Sequence, residues 1–287
     1  MRFIAILAAA SVGVALASNS QEEPSNWSFP KSDIAPGNNI SSGSVGTSLF
    51  DVQEHFTPTN SSGSISVVPR GTKTYVAGLR ATPGGNSFCS ASLISPTHLL
   101  VGTHCIAANI RWASIGSHFV NGTQDGEQIK IIAILNHPRT SGFSNDFAIL
   151  QLQKPSSFRP VALASAGDSD VYDGQEATKM GWDDTGGVDT MAYELMRQDV
   201  QLISNTKCMK EVNVDESMLC SSGSVNETSC TGDYGGPVVV ERPNGDVLVG
   251  TVSWGADCGK LGYPSVYSRV SSVRTWIDSI VNGVCFH

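Results

Sequence analysis

The chain predicts an all-β fold, a sandwich or a barrel, completed by one C-terminal α-helix. Three observations predict it. From about residue 62 onward, short apolar runs recur between turn residues, the texture of many short strands rather than of alternating helix and strand. One stretch carries clear helical periodicity, with Val273, Trp276, Ile277 and Ile280 at i, i+3, i+4 and i+7. Seven cysteines follow an N-terminal segment that reads as a secretory signal, which places the thiols where bridges form and brace a fold.

In chain order, Arg2 gives a positive start, Phe3 to Ala17 is an apolar run of small residues, and Ala15-Leu16-Ala17 is an A-x-A cleavage site. Residues 1–17 are therefore read as a signal peptide, too short to span a bilayer. Residues 18–61 are dominated by Ser, Asn, Pro and Gly, with scattered apolar residues such as Trp27, Phe29 and Phe56. Such a segment buries too little surface to offset its ordering entropy and is expected to be disordered, as a pro-segment, a linker or a glycosylated stalk. Residues 62–287 form the folded domain. Its strand-like runs include 74–79, 91–94, 98–102, 128–135, 147–152, 238–240 and 247–252. The terminal helix is expected to start at a cap, Ser271 or Ser272, and to end at Asn282-Gly283.

Hydrophobic residues make up 40% of the chain and the net charge is −8, which argues against nucleic acid or anionic lipid as main partner. No second stretch approaches membrane length. The cysteines are Cys89, Cys105, Cys208, Cys220, Cys230, Cys258 and Cys285; none forms a Cys-x-x-Cys pair, so no metal or other cofactor is expected. Sequons begin at Asn26, Asn39, Asn60, Asn121 and Asn226, as suits a secreted glycoprotein.

Three local patterns carry chemistry. Thr103-His104-Cys105 follows an apolar strand. Asn145-Asp146 precedes another. Ser229-Cys230-Thr231-Gly232-Asp233-Tyr234-Gly235-Gly236-Pro237 is a glycine-framed turn with an acid at its centre. Histidine, then aspartate, then a glycine-framed apex is the chain order of the chymotrypsin-type triad, in which His is the general base, Asp orients it and Ser attacks.

Residues from about 62 to 287 resemble the trypsin-like serine protease family. The resemblance is carried by Phe88-Cys89-Ser90-Ala91-Ser92-Leu93-Ile94, Leu100-Val101-Gly102-Thr103-His104-Cys105, Gly181-Trp182, Ser253-Trp254-Gly255, Pro264-Ser265-Val266-Tyr267 and the terminal helix, Val270 to Val281. It implies two six-stranded antiparallel β-barrels, about 62–170 and 171–287, with a cleft between them. It also implies the bridges Cys89–Cys105, Cys208–Cys220 and Cys230–Cys258. Cys285 has no partner in that scheme and is a free thiol or bridges to another chain. Gly232 and the apex amide correspond to the oxyanion hole, Ser253-Trp254-Gly255 to the strand that holds a substrate backbone, and Thr228 and Ser265 to the specificity pocket.

Against that pattern Tyr234 stands where the family has its serine. A tyrosyl oxygen lies several Å beyond the place of a seryl oxygen, and its ordinary pKa of about 10 leaves it neutral at working pH. The ring is expected to fill part of the cleft and to crowd the oxyanion site. The family matures by freeing an Ile-Val-Gly-Gly terminus whose amine pairs with the acid at position 233; thirteen residues before Tyr75 this chain has Ser62-Gly63-Ser64-Ile65. Thr228 supplies no acid to select Lys or Arg, Ser265 narrows the pocket, and a glycan on Asn226 would hinder a substrate. The expected chain is a pseudoprotease in which His104 and Asp146 keep a structural hydrogen bond.

A narrower resemblance is to the glucanase inhibitor proteins of plant-pathogenic oomycetes, secreted trypsin-like proteins with broken triads. It rests on Gly71 to Arg80, on Leu93-Ile94-Ser95-Pro96-Thr97-His98, and on the loop-like stretch from Trp112 to Glu127. It implies an apoplastic protein that binds and inhibits plant endo-β-1,3-glucanases. Two other readings stand beside it: a protease with residual activity, and a wall-associated binding protein that acts through residues 18–61.

Overall fold

The structure, a computed structural model, describes residues 65–182, 192–222, 234–255 and 263–283. The signal and extension (1–61), residues 62–64, the sequons at Asn26, Asn39, Asn60 and Asn226, and Thr228, Cys230, Gly232, Asp233, Cys258 and Cys285 lie outside the described residues.

Six strands close the first barrel: β2 (Val76–Arg80), β3 (Cys89–Ser95), β4 (His98–Val101), β5 (Trp112–Ile115), β6 (Glu127–Asn136) and β7 (Ala148–Leu152). Their order around the barrel is β2-β3-β4-β7-β6-β5, all antiparallel. Six more form the second: β9 (Glu176–Gly181), β10 (Met196–Ile203), β11 (Met218–Ser221), β12 (Pro237–Val240), β13 (Val247–Gly255) and β14 (Ser265–Arg269). There the order is β10-β11-β14-β13-β12-β9, and β9 returns to β10 to close the ring. Strand β1 (Ile65–Val67) adds to β10, and β8 (Ala162–Leu163) runs parallel to β13. Closure removes the exposed sheet edges that would otherwise template pairing with other chains.

Every residue of β3 is buried. Leu93 and Ile94 belong to the core, and Ser90, Ser92 and Ser95 are buried as well. Strands buried on both faces lose the alternation of a half-exposed strand, and of β3 only 91–94 stands out as a strand-like run in the sequence.

Helix α2 (Val270–Val281) buries Val273 and Ile277 of the expected stripe, together with Val270, while Trp276 and Ile280 are half-buried against the core. Its start differs from expectation. Arg269 is the N-cap residue and provides no side-chain cap. Ser272 Oγ donates to the Arg269 carbonyl at 2.7 Å, and Ser271 Oγ donates across the chain to Asp168 at 2.5 Å. Asp168 also accepts from Arg269 Nη1 at 2.5 Å, so a carboxylate from a distant turn takes both serine and arginine away from local capping. The helix ends as expected, with Gly283 at φ +68, a conformation that favours glycine.

Two disulfides are formed among the described residues. Cys89–Cys105 ties β3 to the 3-10 helix Thr103–Ala108, and Cys208–Cys220 ties the short helix α1 (Asn205–Cys208) to β11. Among the described residues no helix is long and apolar enough to cross a membrane.

The Cys208–Cys220 bridge closes a separation of 12 residues. By loop-closure entropy, the paired change Cys208→Ala with Cys220→Ala should lower the unfolding free energy by about 3 kcal/mol. Urea titration of both proteins measures it, and a loss under about 1 kcal/mol would mean that the reduced chain keeps that loop ordered without the bridge.

Candidate functional site

His104 and Asp146 are brought together by two loops of the first barrel. β4 ends at Val101, and the chain passes through Gly102 into the 3-10 helix that carries His104. Glycine is required there: a Cβ would stand 2.4 Å from His104 Cε1 and 3.1 Å from Asp146 Oδ2. Asp146 precedes β7 and is aimed by Asn145, which takes a left-handed turn at φ +49 and whose N–H donates to Ser217 Oγ at 2.8 Å. Asparagine tolerates that backbone better than most residues.

His104 Nδ1 donates to Asp146 Oδ2 at 2.6 Å. Three further donors reach the same carboxylate: Thr103 Oγ1 at 2.8 Å, the His104 N–H at 3.1 Å and Ser253 Oγ at 2.6 Å. The first two come from the first barrel, and Ser253 from β13 of the second. Asp146 is 1% exposed. Burial pushes its pKa up, but the bond to His104, the attraction of that ring and the Ser253 and Thr103 hydroxyls outweigh it, and the carboxyl is held below the ordinary aspartate range.

Tyr234 opens the turn before β12. Its carbonyl accepts from the Ser90 N–H at 2.9 Å, the Gly235 N–H donates to Val252 O at 2.8 Å, and the Val252 N–H donates to Gly236 O at 2.9 Å. Gly235 sits at φ +77, and a Cβ on it would lie 2.5 Å from the Ser90 carbonyl oxygen. The turn is thus clamped between β3 and β13, and Pro237 begins β12, where a strand accommodates it. From this frame the Tyr234 ring projects beside the imidazole. The ring centroids are 5.3 Å apart at an interplanar angle of 77°, an edge-to-face contact. His104 Nε2 is buried and makes no hydrogen bond among the described residues.

The other expected positions lie on β13 and β14. Trp254 is half-buried and packs on Phe143, with ring centroids 5.5 Å apart. Gly255 is exposed at the end of β13 and pairs with Ser265, which is buried on β14 between Gly255 and Ser221. Sequence reasoning missed three contributors: Gly102, Thr103 and Ser217. Gly102 and Thr103 were visible as the residues leading into His104. Ser217 is distant in sequence, and only the fold brings it to Asn145.

This arrangement holds an imidazole in one tautomer and orientation with an ionised carboxylate behind it, the part of an acyl-transfer site that moves protons. No described hydroxyl or thiol is hydrogen-bonded to Nε2. Among the described residues no cluster of His, Cys, Asp or Glu is placed to hold a metal ion.

A carboxyl held below its unfolded value stabilises the fold while ionised. That contribution is complete above the unfolded pKa of about 4 and is lost as pH falls through the lower folded value. The unfolding free energy should therefore drop on the acid side of about pH 4, and Asp146→Asn should flatten that part of the profile. Urea unfolding across a pH series tests this; parallel acid limbs in the two proteins would remove Asp146 from the explanation.

Comparison with known proteins gives a consistent picture. The model of the Trypsin family matches residues 64–277. Glucanase inhibitor protein 3 of Phytophthora infestans is 48% identical over 227 residues, 76% of this chain and 87% of the relative. Glucanase inhibitor protein 2 of the same organism is 41% identical over 224 residues, covering 76% and 88%. Glucanase inhibitor protein 2 of Phytophthora sojae is 41% identical over 224 residues, covering 75% and 78%.

Proposed function

The chain belongs to the trypsin family, and on that premise we propose that it is a secreted, non-catalytic member that binds and inhibits endo-β-1,3-glucanases of a host plant, suppressing release of the glucan fragments that alert the host. The observation that carries this reading is the Tyr234 ring lying edge-on to His104, whose bond to Asp146 is intact. Tyr234 takes the place of the serine nucleophile. A phenol cannot bring its oxygen to a carbonyl seated where a seryl oxygen would attack, so the histidine has no nucleophile to activate. The bulk of the ring would also crowd an oxyanion of an acyl-transfer intermediate held beside the apex amide.

Two further features support loss of catalysis. The segment Ser62-Gly63-Ser64-Ile65 offers no apolar terminus whose amine could pair with Asp233. At the positions the family uses for its specificity pocket, Thr228 brings no acid to select a basic side chain, and Ser265 would narrow the pocket. With the cleft between the barrels obstructed, recognition moves to the outer surface. The partner class comes from the relatives, whose names state inhibition of glucanases.

The purified chain should slow hydrolysis of a β-1,3-glucan by a plant endo-β-1,3-glucanase in proportion to its concentration, and it should retain that enzyme in a pull-down from apoplastic fluid. An enzyme left at full rate by a molar excess of the chain would defeat the proposal. Tyr234→Ser separates the two halves of the reading. It should show no amidase turnover and no labelling by a fluorophosphonate probe, because the activating terminus is absent as well. Turnover in that variant would show that the nucleophile alone is missing.

A further inference from the structure

The sequon Asn121-Gly122-Thr123 lies at the tip of the connection between β5 and β6, and nothing in the inhibitory reading uses it. Asn121 Oδ1 accepts from the Thr123 N–H at 3.1 Å and from Thr123 Oγ1 at 2.7 Å, a closed Asx turn. The carboxamide Nδ2 makes no hydrogen bond among the described residues, whereas Oδ1 is doubly engaged. The middle residue points inward. Gly122 is buried, its carbonyl accepts from Gln128 Nε2 at 3.1 Å, and a Cβ on it would stand 1.9 Å from Ser114 Oγ. Thr123 is exposed and Asn121 half-buried on either side of the buried glycine.

The tip is stiff. Asp125 accepts from Ser117 Oγ at 2.8 Å and from the His118 N–H at 3.0 Å, which fastens the base of the loop. Beside it stands an aromatic shelf. Phe119 lies with its ring centroid 4.9 Å from that of Tyr193, and the Arg70 guanidinium sits 4.6 Å from the Phe119 centroid. Tyr193 is held on both sides of Asn121: its carbonyl accepts from the Val120 N–H at 2.9 Å, and its hydroxyl donates to Gln124 Oε1 at 2.7 Å. Yet Tyr193 is 57% exposed, an apolar ring left in water by the protein itself.

We propose that Asn121 carries an N-linked glycan whose first sugar rings lie over the Tyr193 ring. In the transfer, Asn121 Nδ2 forms a bond to the anomeric carbon of a lipid-linked oligosaccharide. The bond from that carbon to the pyrophosphate oxygen breaks, the lipid pyrophosphate leaves with the electron pair, and one amide proton is given up to base. The glycan occupies the tip of the β5–β6 loop, and the weakly polar faces of its pyranose rings cover the exposed tyrosine. This inference rests on secretion, and its test tells the two apart.

The full chain is expressed in a eukaryotic secretory host, and the secreted protein is digested and mapped before and after release of glycans by peptide N-glycosidase. Asn121 should appear as a glycopeptide before release and as aspartate after it. Thr123→Ala should abolish the modification, and Thr123→Ser should keep it. A secreted chain with Asn121 unmodified would overturn the proposal alone; a chain that never enters the medium and carries no glycan would overturn secretion and the proposal together. Nitration of Tyr193 by tetranitromethane reads the packing. It should be slower in the glycosylated protein than after release, and equal rates would show that the glycan stands clear of the ring.

Discussion

A carboxylate almost sealed from water organises the centre of this protein. Asp146 is reached by donors from the 3-10 helix of the first barrel and from β13 of the second. An isolated ionised carboxylate in that environment would be strongly unfavourable. Four hydrogen bonds make it tolerable, and their geometry in turn fixes where those elements can sit. Of these four bonds, the one from the Ser253 hydroxyl crosses between the barrels. The requirement that Asp146 be satisfied therefore acts as a constraint on how the barrels register, independent of any reaction.

The turn at Tyr234 is a second rigid part, set by backbone. Its carbonyl and the amides around it are taken up by β3 and β13, and Gly235 fits a space that leaves no room for a side chain. None of these bonds involves the side chain of residue 234. The frame consequently accepts a large ring without being rebuilt, and the ring settles against the imidazole. A site of this kind separates two properties that are easily confused: the scaffold that presents a side chain, and the chemistry of the side chain presented.

Much of the architecture was legible in the sequence because the first barrel is written in apolar runs. The strands β2, β3, β4, β6 and β7 fall within or close to the runs identified, as do β12, β13 and the terminal helix. Strands β9 and β10 escaped notice for a physical reason. Lys179 and Gln198 are paired across them and are 2% and 5% exposed, so polar residues occupy positions that a periodicity count assigns to solvent. Trp112–Ile115 read as the start of a loop, and only pairing with β2 and β6 makes it the strand β5. At the site, His104, Asp146 and Tyr234 were found through local motifs. The left-handed Asn145 and its bond to Ser217 span 72 positions in the chain, and such contacts leave no local signature.

The histidine–aspartate pair and the tyrosine beside it differ in what a substitution would remove. A substitution at 234 leaves in place the backbone bonds that join its turn to β3 and β13, and the Tyr234 ring makes an edge-to-face contact with His104. Replacing Asp146 strips the acceptor from four donors at once and leaves buried polar groups unpaired, each at a penalty of about 1–3 kcal/mol. Replacing His104 leaves the carboxylate short of one of its two nearest donors. His104 and Asp146 are groups whose loss would leave buried polar atoms unpaired, whatever chemistry the residue beside them brings. An intact His–Asp pair is thus weak evidence of catalysis in a barrel pair of this design, and the residue at the apex of the turn is what decides the chemistry.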